Sequence, residues 1–292
     1  MLIARLIAEV DALSANLEHA LADLAAQGMT ADVSELAAPG GVQLSVIGGD
    51  AAKLAAVLDA RFAPSDMLIA DHVPTVPQIF VSDMDSTMIA AECIDELADF
   101  AGLKPQIAEI TERAMQGELD FKAALLERVA LLRGLNESAI RECLDTRITA
   151  MPGAKVLVAT LKSKGCKTVL VTGGFHQFAD PVAEELGFEM VVGNRLEIAD
   201  GALTGGLTGP IVDSSVKQRV LEEQSALAGA GAISLATGDG ANDIPMLQVA
   251  TYGLAYQAKP KARAAADGWV DRGDLTGVLD LLGIAREEWV WE

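Results

Sequence analysis

The first 75 residues alternate between helical and strand-like spacing of hydrophobic positions. Four leucines recur at helical spacing between residues 13 and 24, and Gly28 follows where a helix can end. Apolar runs begin at residue 2 and recur in "VQLSVIGG" and "DMLIADH", with a helix opened by Asp50 between the last two. With a weak strand over 31–38, this order predicts a small ferredoxin-like β-α-β-β-α-β module of the α+β class.

The pattern changes after the segment "HVPTVPQ", whose prolines predict a boundary between a module over 1–75 and a larger domain over 76–292. The apolar runs "IFVS", "KTVLV", "AISLAT" and "YGLAY" are separated by helical segments, as in a parallel sheet with crossover helices. Residues from about 93 to 150 show helical patterns, no convincing strand, and too much length for one crossover. We therefore predict an α/β domain with a Rossmann-like parallel sheet and an inserted helical cap.

Three of the predicted strands run directly into polar or glycine residues. These residues are Asp83, Asp85, Thr172, Gly173, Gly174, Asp239, Asn242 and Asp243. In an open parallel sheet, ligands bind outside the carboxyl ends of the strands, so we expect these residues in one crevice. Four carboxylates in one pocket require a compensating cation, and few ligands that are all oxygen are typical of Mg²⁺.

A hydroxyl, two glycines and a lysine add the features of an anion site. Thr172 supplies a hydroxyl donor, and Gly173 and Gly174 let backbone N–H groups approach an anion closely. Lys217, at a predicted helix start, adds a positive charge. Together with the acids, these features fit phosphoryl transfer, in which the protein positions groups and neutralises phosphoryl oxygens.

The net charge of the chain limits its partners. With 22 Lys and Arg against 42 Asp and Glu, the formal charge is −20, which argues against nucleic acid and anionic membranes as partners. An anionic substrate also requires a bound cation and a few basic residues to reverse the potential locally. Cys93, Cys143 and Cys166 are widely separated and form no CxxC pair, which argues against disulfides and zinc. "MLIARLIAEVDALS" turns acidic too early for a signal peptide, and no apolar run approaches the ~18 residues of a membrane helix, so we expect a soluble cytoplasmic protein.

Several motifs resemble those of a known family. "DMDST" resembles the nucleophile motif DxDx[TV] of the haloacid dehalogenase superfamily, and Thr172, Lys217 and "GDGAND" match its other motifs in order. The stretches "DMDSTMIAAECIDELA", "MQGELDFKAALLERVALLRGL", "VTGGF", "DGALTG" and "GDGANDIPML" are similar to the phosphoserine phosphatase family, over about residues 78–285. Residues 1–75 lie outside the resemblance, although bacterial relatives often carry an ACT-like module there. The family usually has serine at the position of Thr172, but the superfamily accepts either hydroxyl.

This resemblance implies Mg²⁺-dependent hydrolysis of O-phospho-L-serine, the last step of serine biosynthesis. Asp83 would attack phosphorus to form an aspartyl-phosphate, and Asp85 would act first as general acid and then as general base. The implied Mg²⁺ ligands are the Asp83 side chain, the Asp85 backbone carbonyl and Asp239, with Asp243 orienting metal-bound water. The residues implied to bind the phosphoryl group are Thr172, Gly173, Gly174, Lys217 and Asn242.

The resemblance also places substrate selection in the cap. Glu92 matches the family's partner for the serine ammonium and Arg128 its partner for the carboxylate, which suits an arginine fork. Met115 and Phe121 match positions that line the pocket. The cap would close over the substrate and exclude bulk water. A homodimer is a further expectation.

Two other interpretations stay open from the sequence. The chain could be another phosphatase or phosphotransferase of the superfamily, acting on a sugar phosphate or a different amino-alcohol phosphate, or passing the phosphoryl group to homoserine. Glu92 and Arg128 argue against a sugar phosphate, which has no zwitterion to bind. A non-catalytic amino-acid sensor that works through residues 1–75 is less favoured, because all four catalytic motifs are intact.

Overall fold

The computed structural model describes residues 1–115 and 118–291, with the backbone alone for residues 114 and 115. The strands are β1 (Leu2–Ile7), β2 (Thr30–Glu35), β3 (Gly41–Ile47), β4 (Asp66–Ala70), β5 (Ile79–Ser82), β6 (Lys167–Phe175), β7 (Met190–Asn194), β8 (Leu196–Ala199), β9 (Ala202–Leu207), β10 (Ser234–Gly238), β11 (Tyr252–Tyr256) and β12 (Gly268–Val270). The helices are α1 (Val10–Ala26), α2 (Ala51–Phe62), α3 (Cys93–Phe100), α4 (Lys104–Met115), α5 (Phe121–Leu131), α6 (Ser138–Arg147), α7 (Ala154–Ser163), α8 (His176–Leu186), α9 (Ser214–Ala228), α10 (Ile244–Val249), α11 (Pro260–Ala265) and α12 (Gly277–Leu282).

The N-terminal elements follow the predicted β-α-β-β-α-β order, from β1 to β4. The Asp50 side chain accepts a hydrogen bond from the backbone N–H of Lys53 at 2.8 Å, which caps the first turn of α2. Gly28, just beyond the end of α1, has a φ of +79°, a conformation that glycine adopts without strain. Among the described residues, no helix combines the length and apolar character needed to cross a membrane.

The N-terminal strands join the larger domain through a shared sheet. The order is β2-β3-β1-β4-β12-β11-β10-β5-β6-β7, and β4 pairs antiparallel with β12. At this junction a side chain on Gly268 would lie 2.0 Å from the Met67 carbonyl oxygen, so only glycine permits the close approach. The domain boundary after residue 75 stays a prediction, because the sheet itself is continuous across it.

The strands from β12 to β7 form the parallel part of the sheet. Every residue of β5, β10 and β11 is buried, which explains why these strands appear in the sequence as mainly apolar runs without alternating polar positions. β5 lies between β10 and β6, and the chain continues from β5 to β6 on one side and returns to β10 on the other. The carboxyl end of β5 is therefore the topological switch point, where open α/β sheets bind ligands.

The chain between β5 and β6 forms the helices α3 to α6 and, beyond them, α7, which packs on the sheet domain. The predicted fold class, a parallel-sheet α/β domain with a helical insertion beside a small α+β unit, is confirmed. The hairpin β8–β9 was not predicted, although Asp200 and Gly201 form its turn with φ values of +53° and +78°. Its Leu203 exchanges backbone hydrogen bonds of 2.8 Å with Gly134 and Leu135, so the hairpin supports the cap.

Candidate active site

The carboxyl ends of β5 and β10 bring together acids from distant parts of the chain. Asp83 follows β5, Asp239 follows β10, and Asp243 precedes the first turn of α10. The backbone N–H of Asp83 donates to the Thr237 carbonyl on β10 at 3.0 Å, which fixes the two strand ends side by side. Carboxylate oxygens of Asp83, Asp239 and Asp243 all lie within 4.8 Å of one another, and all three residues are buried.

Lys217 lies in the first turn of α9 with its ammonium group between two of these acids. Its Nζ is 2.6 Å from Asp83 Oδ1 and 2.7 Å from Asp243 Oδ1, and the side chain is 1 % exposed. Burial alone would lower the pKa of Lys217, but the two carboxylates outweigh it and raise that pKa above its usual value. The ammonium therefore stays charged and holds the two carboxylates together.

The three acids outnumber the two lysines that contact them, Lys217 and Lys259, so the crevice carries uncompensated negative charge. Burial and the neighbouring Asp243 raise the pKa of Asp83 well above its usual value, against the opposing effect of Lys217. Burial also raises the pKa of Asp239, with Lys259 opposing it. A divalent cation would remove this electrostatic cost. Because the converging ligand atoms are carboxylate oxygens alone, they fit a hard ion such as Mg²⁺.

Asp85 is held from two sides of the crevice. Its Oδ1 accepts the backbone N–H of Cys93 at 3.0 Å, and its Oδ2 lies 3.4 Å from the hydroxyl of Thr172. Ser86 follows with a φ of +56°, a left-handed conformation that turns the chain from the strand toward the cap. Burial raises the pKa of Asp85, while hydrogen bonds from Cys93 oppose the shift. This carboxyl therefore holds a proton more readily than an exposed aspartate does.

The last residues of β6 lose their register with β7 between Val171 and Phe175, and this irregular end of the strand forms a loop that can receive an anion. The backbone N–H of Gly174 donates to Thr172 Oγ1 at 2.8 Å, and a side chain on Gly174 would lie 2.8 Å from Asp85 Oδ2. The Asn194 amide donates to the Gly173 carbonyl at 2.8 Å and so fixes the loop from behind. Sequence reasoning missed Asn194. It is a polar residue at a strand end, as the other site residues are, but its strand β7 was not predicted.

Glu92 brings a carboxylate to the site from the cap side, directly before α3. Ser86 Oγ donates to Glu92 Oε1 at 3.0 Å. Burial raises the pKa of Glu92 to about 7, and the charges of Asp85 and Asp239 raise it further in the same direction. A cationic group bound beside Glu92 would relieve this repulsion and favour the ionised carboxylate.

Arg128 brings the opposite charge from α5. Its Nε donates to the Ala124 carbonyl at 3.3 Å, which leaves the other guanidinium nitrogens for further partners. Burial lowers the pKa of Arg128, and the charges of Asp95 and Glu92 oppose the shift. The cap therefore presents one acid and one base to the same space.

The first residues of α5 bring the cap into contact with the sheet edge. Phe121 Cζ lies 3.4 Å from the position that a side chain on Gly173 would take. Lys122 Nζ is 3.3 Å from Asp213 Oδ2, at the start of α9. The cap thus covers the loop at the end of β6.

The cap and the strand ends enclose a cavity of about 230 Å³. It is lined by the sequence-predicted residues Asp83, Asp85, Glu92, Phe121, Arg128, Thr172, Gly173, Gly174, Asp239 and Asn242. Lys217 and Asp243 lie beside it through their contacts with Asp83. Met115 ends α4, and its side chain lies outside the described part of the chain.

Four further residues line the cavity that sequence reasoning did not single out: Ile94, Leu125, Phe175 and Lys259. Lys259 Nζ is 3.4 Å from Asp239 Oδ2, and the Lys259 backbone N–H donates to the Asp239 carbonyl at 2.9 Å. Lys259 follows β11, which neighbours β10 in the sheet. Its position just after a predicted parallel strand could therefore have identified it as a candidate site residue. The three apolar residues carry no such signal.

Comparisons with known proteins agree with the family that the sequence motifs indicate. The family profile described as haloacid dehalogenase-like hydrolase matches residues 80–248, and a second profile of the same description matches residues 229–282. A phosphoserine phosphatase of Streptococcus thermophilus is 46 % identical over 208 residues, which are 71 % of this chain and 96 % of the relative. One of Archaeoglobus fulgidus is 44 % identical over 211 residues, or 72 % of this chain, and here the match spans only 61 % of the relative's length.

The fold comparison extends the likeness to the N-terminal strands. The crystal structure of a probable phosphoserine phosphatase from Vibrio cholerae superimposes with a TM-score of 0.76 and 33 % identity. The superposition covers 98 % of this chain and 87 % of that one. Together with the sequence matches, it shows that this chain belongs to the haloacid dehalogenase-like hydrolases and, within them, to the phosphoserine phosphatase family.

Proposed function

We propose that this protein hydrolyses O-phospho-L-serine to serine and phosphate, with Mg²⁺ as its cofactor. The observation that carries the proposal is the charge pattern of the cavity. Acids, a buried lysine and the loop at Thr172 occupy the strand ends, while Glu92 and Arg128 approach from the cap. Phosphoserine has matching groups, with phosphate at one end and an ammonium and a carboxylate at the other. A sugar phosphate would leave both cap charges without partners, which is costly in a buried site.

In the first half of the proposed reaction, a carboxylate oxygen of Asp83 attacks phosphorus, and the bond to the serine oxygen breaks. Asp85 donates its proton to that oxygen, so serine leaves as an alcohol. Thr172 and Lys217 donate hydrogen bonds to the phosphoryl oxygens and hold the group in line with Asp83. Bound Mg²⁺, with the side chains of Asp83 and Asp239 and the Asp85 carbonyl as ligands, would neutralise charge on the phosphoryl oxygens.

In the second half, Asp85 is ionised and accepts a proton from the water that attacks the aspartyl-phosphate. Asp83 is thereby regenerated and phosphate is released. Asp243 would orient metal-bound water, and Asn242 would contact the phosphate. The cap would restrict access to the phospho-enzyme to this one water.

Phosphate release from a panel of phosphomonoesters tests the proposal. The panel contains both enantiomers of phosphoserine, phosphoethanolamine and a sugar phosphate, each with Mg²⁺ and with chelator, and with homoserine as an alternative acceptor. We expect phosphoserine to have the highest kcat/KM, and serine and phosphate to form in equal amounts. A preference for the sugar phosphate, or transfer to homoserine in place of release, would contradict the proposal.

Arg128→Ala is expected to remove the partner of the substrate carboxylate and to leave phosphate binding intact. Losing a hydrogen bond to a charged group costs about 1.5–3 kcal/mol, or about ten- to a hundredfold in kcat/KM for phosphoserine. Phosphoethanolamine has no carboxylate and should be affected much less. Arg141→Ala is the matched control, since Arg141 is an exposed cap arginine paired with Asp145. Equal losses on both substrates would mean that Arg128 only supports the cap.

Asp239→Asn is expected to raise the Mg²⁺ concentration needed for half-maximal activity by at least about tenfold, because one of few protein ligands becomes neutral. Isothermal titration of the substrate-free protein with Mg²⁺ should show the same weakening without any turnover. Asp145→Asn removes one exposed acid and controls for net charge. Full activity of chelator-treated wild type would rule out the metal role.

The remaining expectations extend this proposal. Serine as product would make the reaction the last step of serine biosynthesis, in the cytoplasm. A homodimer, and an ACT-like role for residues 1–75, stay predictions.

A further inference from the structure

Lys259 brings a positive charge to the sheet side of the cavity. Among the described residues that line the cavity, two are basic, Arg128 on the cap helix α5 and Lys259 beyond the end of β11. The Lys259 side chain is 67 % exposed, and its Nζ lies 3.4 Å from Asp239 Oδ2. Lys217 differs, because its ammonium group is buried between two carboxylates and lies beside the cavity. The ammonium group of Lys259 is therefore the more accessible of the two to a ligand in the cavity.

The backbone at Lys259 is fixed against the end of β10. Its N–H donates to the Asp239 carbonyl at 2.9 Å, which holds the segments after β10 and β11 side by side. Two residues earlier, Gln257 has a φ of +41°, a left-handed conformation, and its N–H donates to the Val270 carbonyl at 3.0 Å. Pro260 then begins α11. These contacts hold the Cα atom of Lys259 at the cavity, while the flexible four-carbon side chain can still reorient.

A phosphate group in the cavity would meet several carboxylates. Asp83, Asp85 and Asp239 all line it, and their charges repel an anion. A cation that borders the cavity reduces this repulsion. An ammonium group has three N–H donors, and the contact with Asp239 can occupy one of them, so Lys259 has donors left for phosphoryl oxygens.

We propose that Lys259 is a substrate-binding residue, whose ammonium group donates hydrogen bonds to the phosphoryl group of the substrate from the sheet side of the cavity. The inference rests on the proposed function, in which the phosphoryl group must lie beside Asp83. Lys259 and Arg128 then have different roles. Arg128 binds the carboxylate and selects the substrate, whereas Lys259 binds the group that all phosphomonoesters share and contributes affinity without selecting the alcohol.

The test measures phosphate binding directly, by isothermal titration of the Mg²⁺-loaded protein with inorganic phosphate. Lys259→Met should raise the Kd for phosphate about three- to tenfold, between the effects typical of exposed and of buried charged pairs. The same variant should lower kcat/KM for phosphoserine and for phosphoethanolamine by equal factors at saturating Mg²⁺, because both substrates carry the phosphoryl group. Lys259→Arg keeps the charge and should retain most of the phosphate affinity.

Lys261→Met is the matched control, since it removes the same charge from an exposed position of α11, and it should leave phosphate binding unchanged. Titration with Mg²⁺ separates binding from support of the acid cluster. Removing a cation beside Asp239 should leave the Kd for Mg²⁺ the same or lower it, and a higher Kd in Lys259→Met would show that Lys259 only supports the cluster.

Two further results would overturn the proposal. An unchanged Kd for phosphate in Lys259→Met would mean that Lys259 serves only as a partner of Asp239. A loss of kcat/KM confined to phosphoserine would mean that Lys259 binds the substrate carboxylate instead. If wild type prefers another phosphomonoester, the proposed function is wrong, but the phosphate titration still decides the role of Lys259, because phosphate is the product of every such hydrolysis.

Discussion

Asp83→Asn is expected to abolish turnover, with a loss of at least about 10⁴-fold in kcat, because the amide cannot form the acyl-phosphate bond. The fold should persist. Lys217 keeps its second carboxylate partner, Asp243, at 2.7 Å, and asparagine has nearly the same size as aspartate. The expected result is thus an inactive protein with a circular dichroism spectrum and melting temperature close to those of wild type.

Trapping the intermediate decides whether Asp83 is the nucleophile. Wild type quenched in acid during turnover of ³²P-labelled phosphoserine should carry label on the peptide that contains Asp83, and Asp83→Asn should carry none. Asp85→Asn is the informative companion, since with p-nitrophenyl phosphate it should still form the phospho-enzyme and then hydrolyse it slowly. Label on any other residue would refute the assignment.

Lys217→Met is expected to produce the largest loss of stability in the site. The ammonium is 1 % exposed and contacts Asp83 and Asp243, so its removal leaves two buried carboxylates without their cation. Breaking a buried ion pair from one side typically costs about 3–5 kcal/mol in free energy of unfolding. Proton uptake by the carboxyls limits the loss, and we expect about 3 kcal/mol in chelator. Urea denaturation followed by tryptophan fluorescence measures it.

Repeating the urea denaturation with Mg²⁺ and at different pH values distinguishes a loss of charge compensation from a loss of packing. Mg²⁺ at a saturating concentration should recover part of the stability, because a second cation then occupies the acid cluster. The difference in free energy of unfolding between wild type and Lys217→Met should also narrow as the pH falls. Lys217 opposes the rise in pKa that burial gives Asp83, so its removal raises that pKa further, and the folded variant takes up a proton more readily than folded wild type does as the pH falls. Lys261→Met, at an exposed lysine of α11, is the control. A deficit independent of both pH and Mg²⁺ would indicate a packing defect instead.

The strand-end rule, that ligands bind at the carboxyl ends of parallel strands, was enough to predict from the sequence that most of these residues lie together. Asp83, Thr172 and Asp239 each lie at or directly after an apolar run, and in a parallel sheet those ends share one edge. Because the rule depends on recognising each strand, it failed where a strand went unrecognised. β7 was missed, and with it Asn194, whose amide supports the anion loop. From the local sequence alone, Glu92 and Arg128 would be interpreted as exposed charges on helix surfaces. Only the family motifs identified them as candidate substrate-binding residues.

In the N-terminal region, the sequence predicted the elements but not how they pair with the rest of the sheet. Local patterns predicted its element order from β1 to β4, since each helix and strand has its own periodicity and caps. They did not predict that β4 pairs with β12, because that pairing depends on backbone groups about 200 residues apart in the chain and leaves no periodic signal. Gly268, where no side chain would fit beside Met67, is conspicuous only once the two strands are adjacent.

The sequence was enough to predict the fold class with its cap insertion and an acidic crevice at the strand ends, because apolar periodicity and strand-end chemistry are local properties of the chain. The contacts between charged and polar side chains in the site could be seen only in the tertiary structure. It placed the Lys217 ammonium between Asp83 and Asp243, and it placed the start of α3 against Asp85. Such contacts depend on the relative positions of elements to within an ångström, and packing of the whole domain, not the spacing of residues along the chain, fixes those positions.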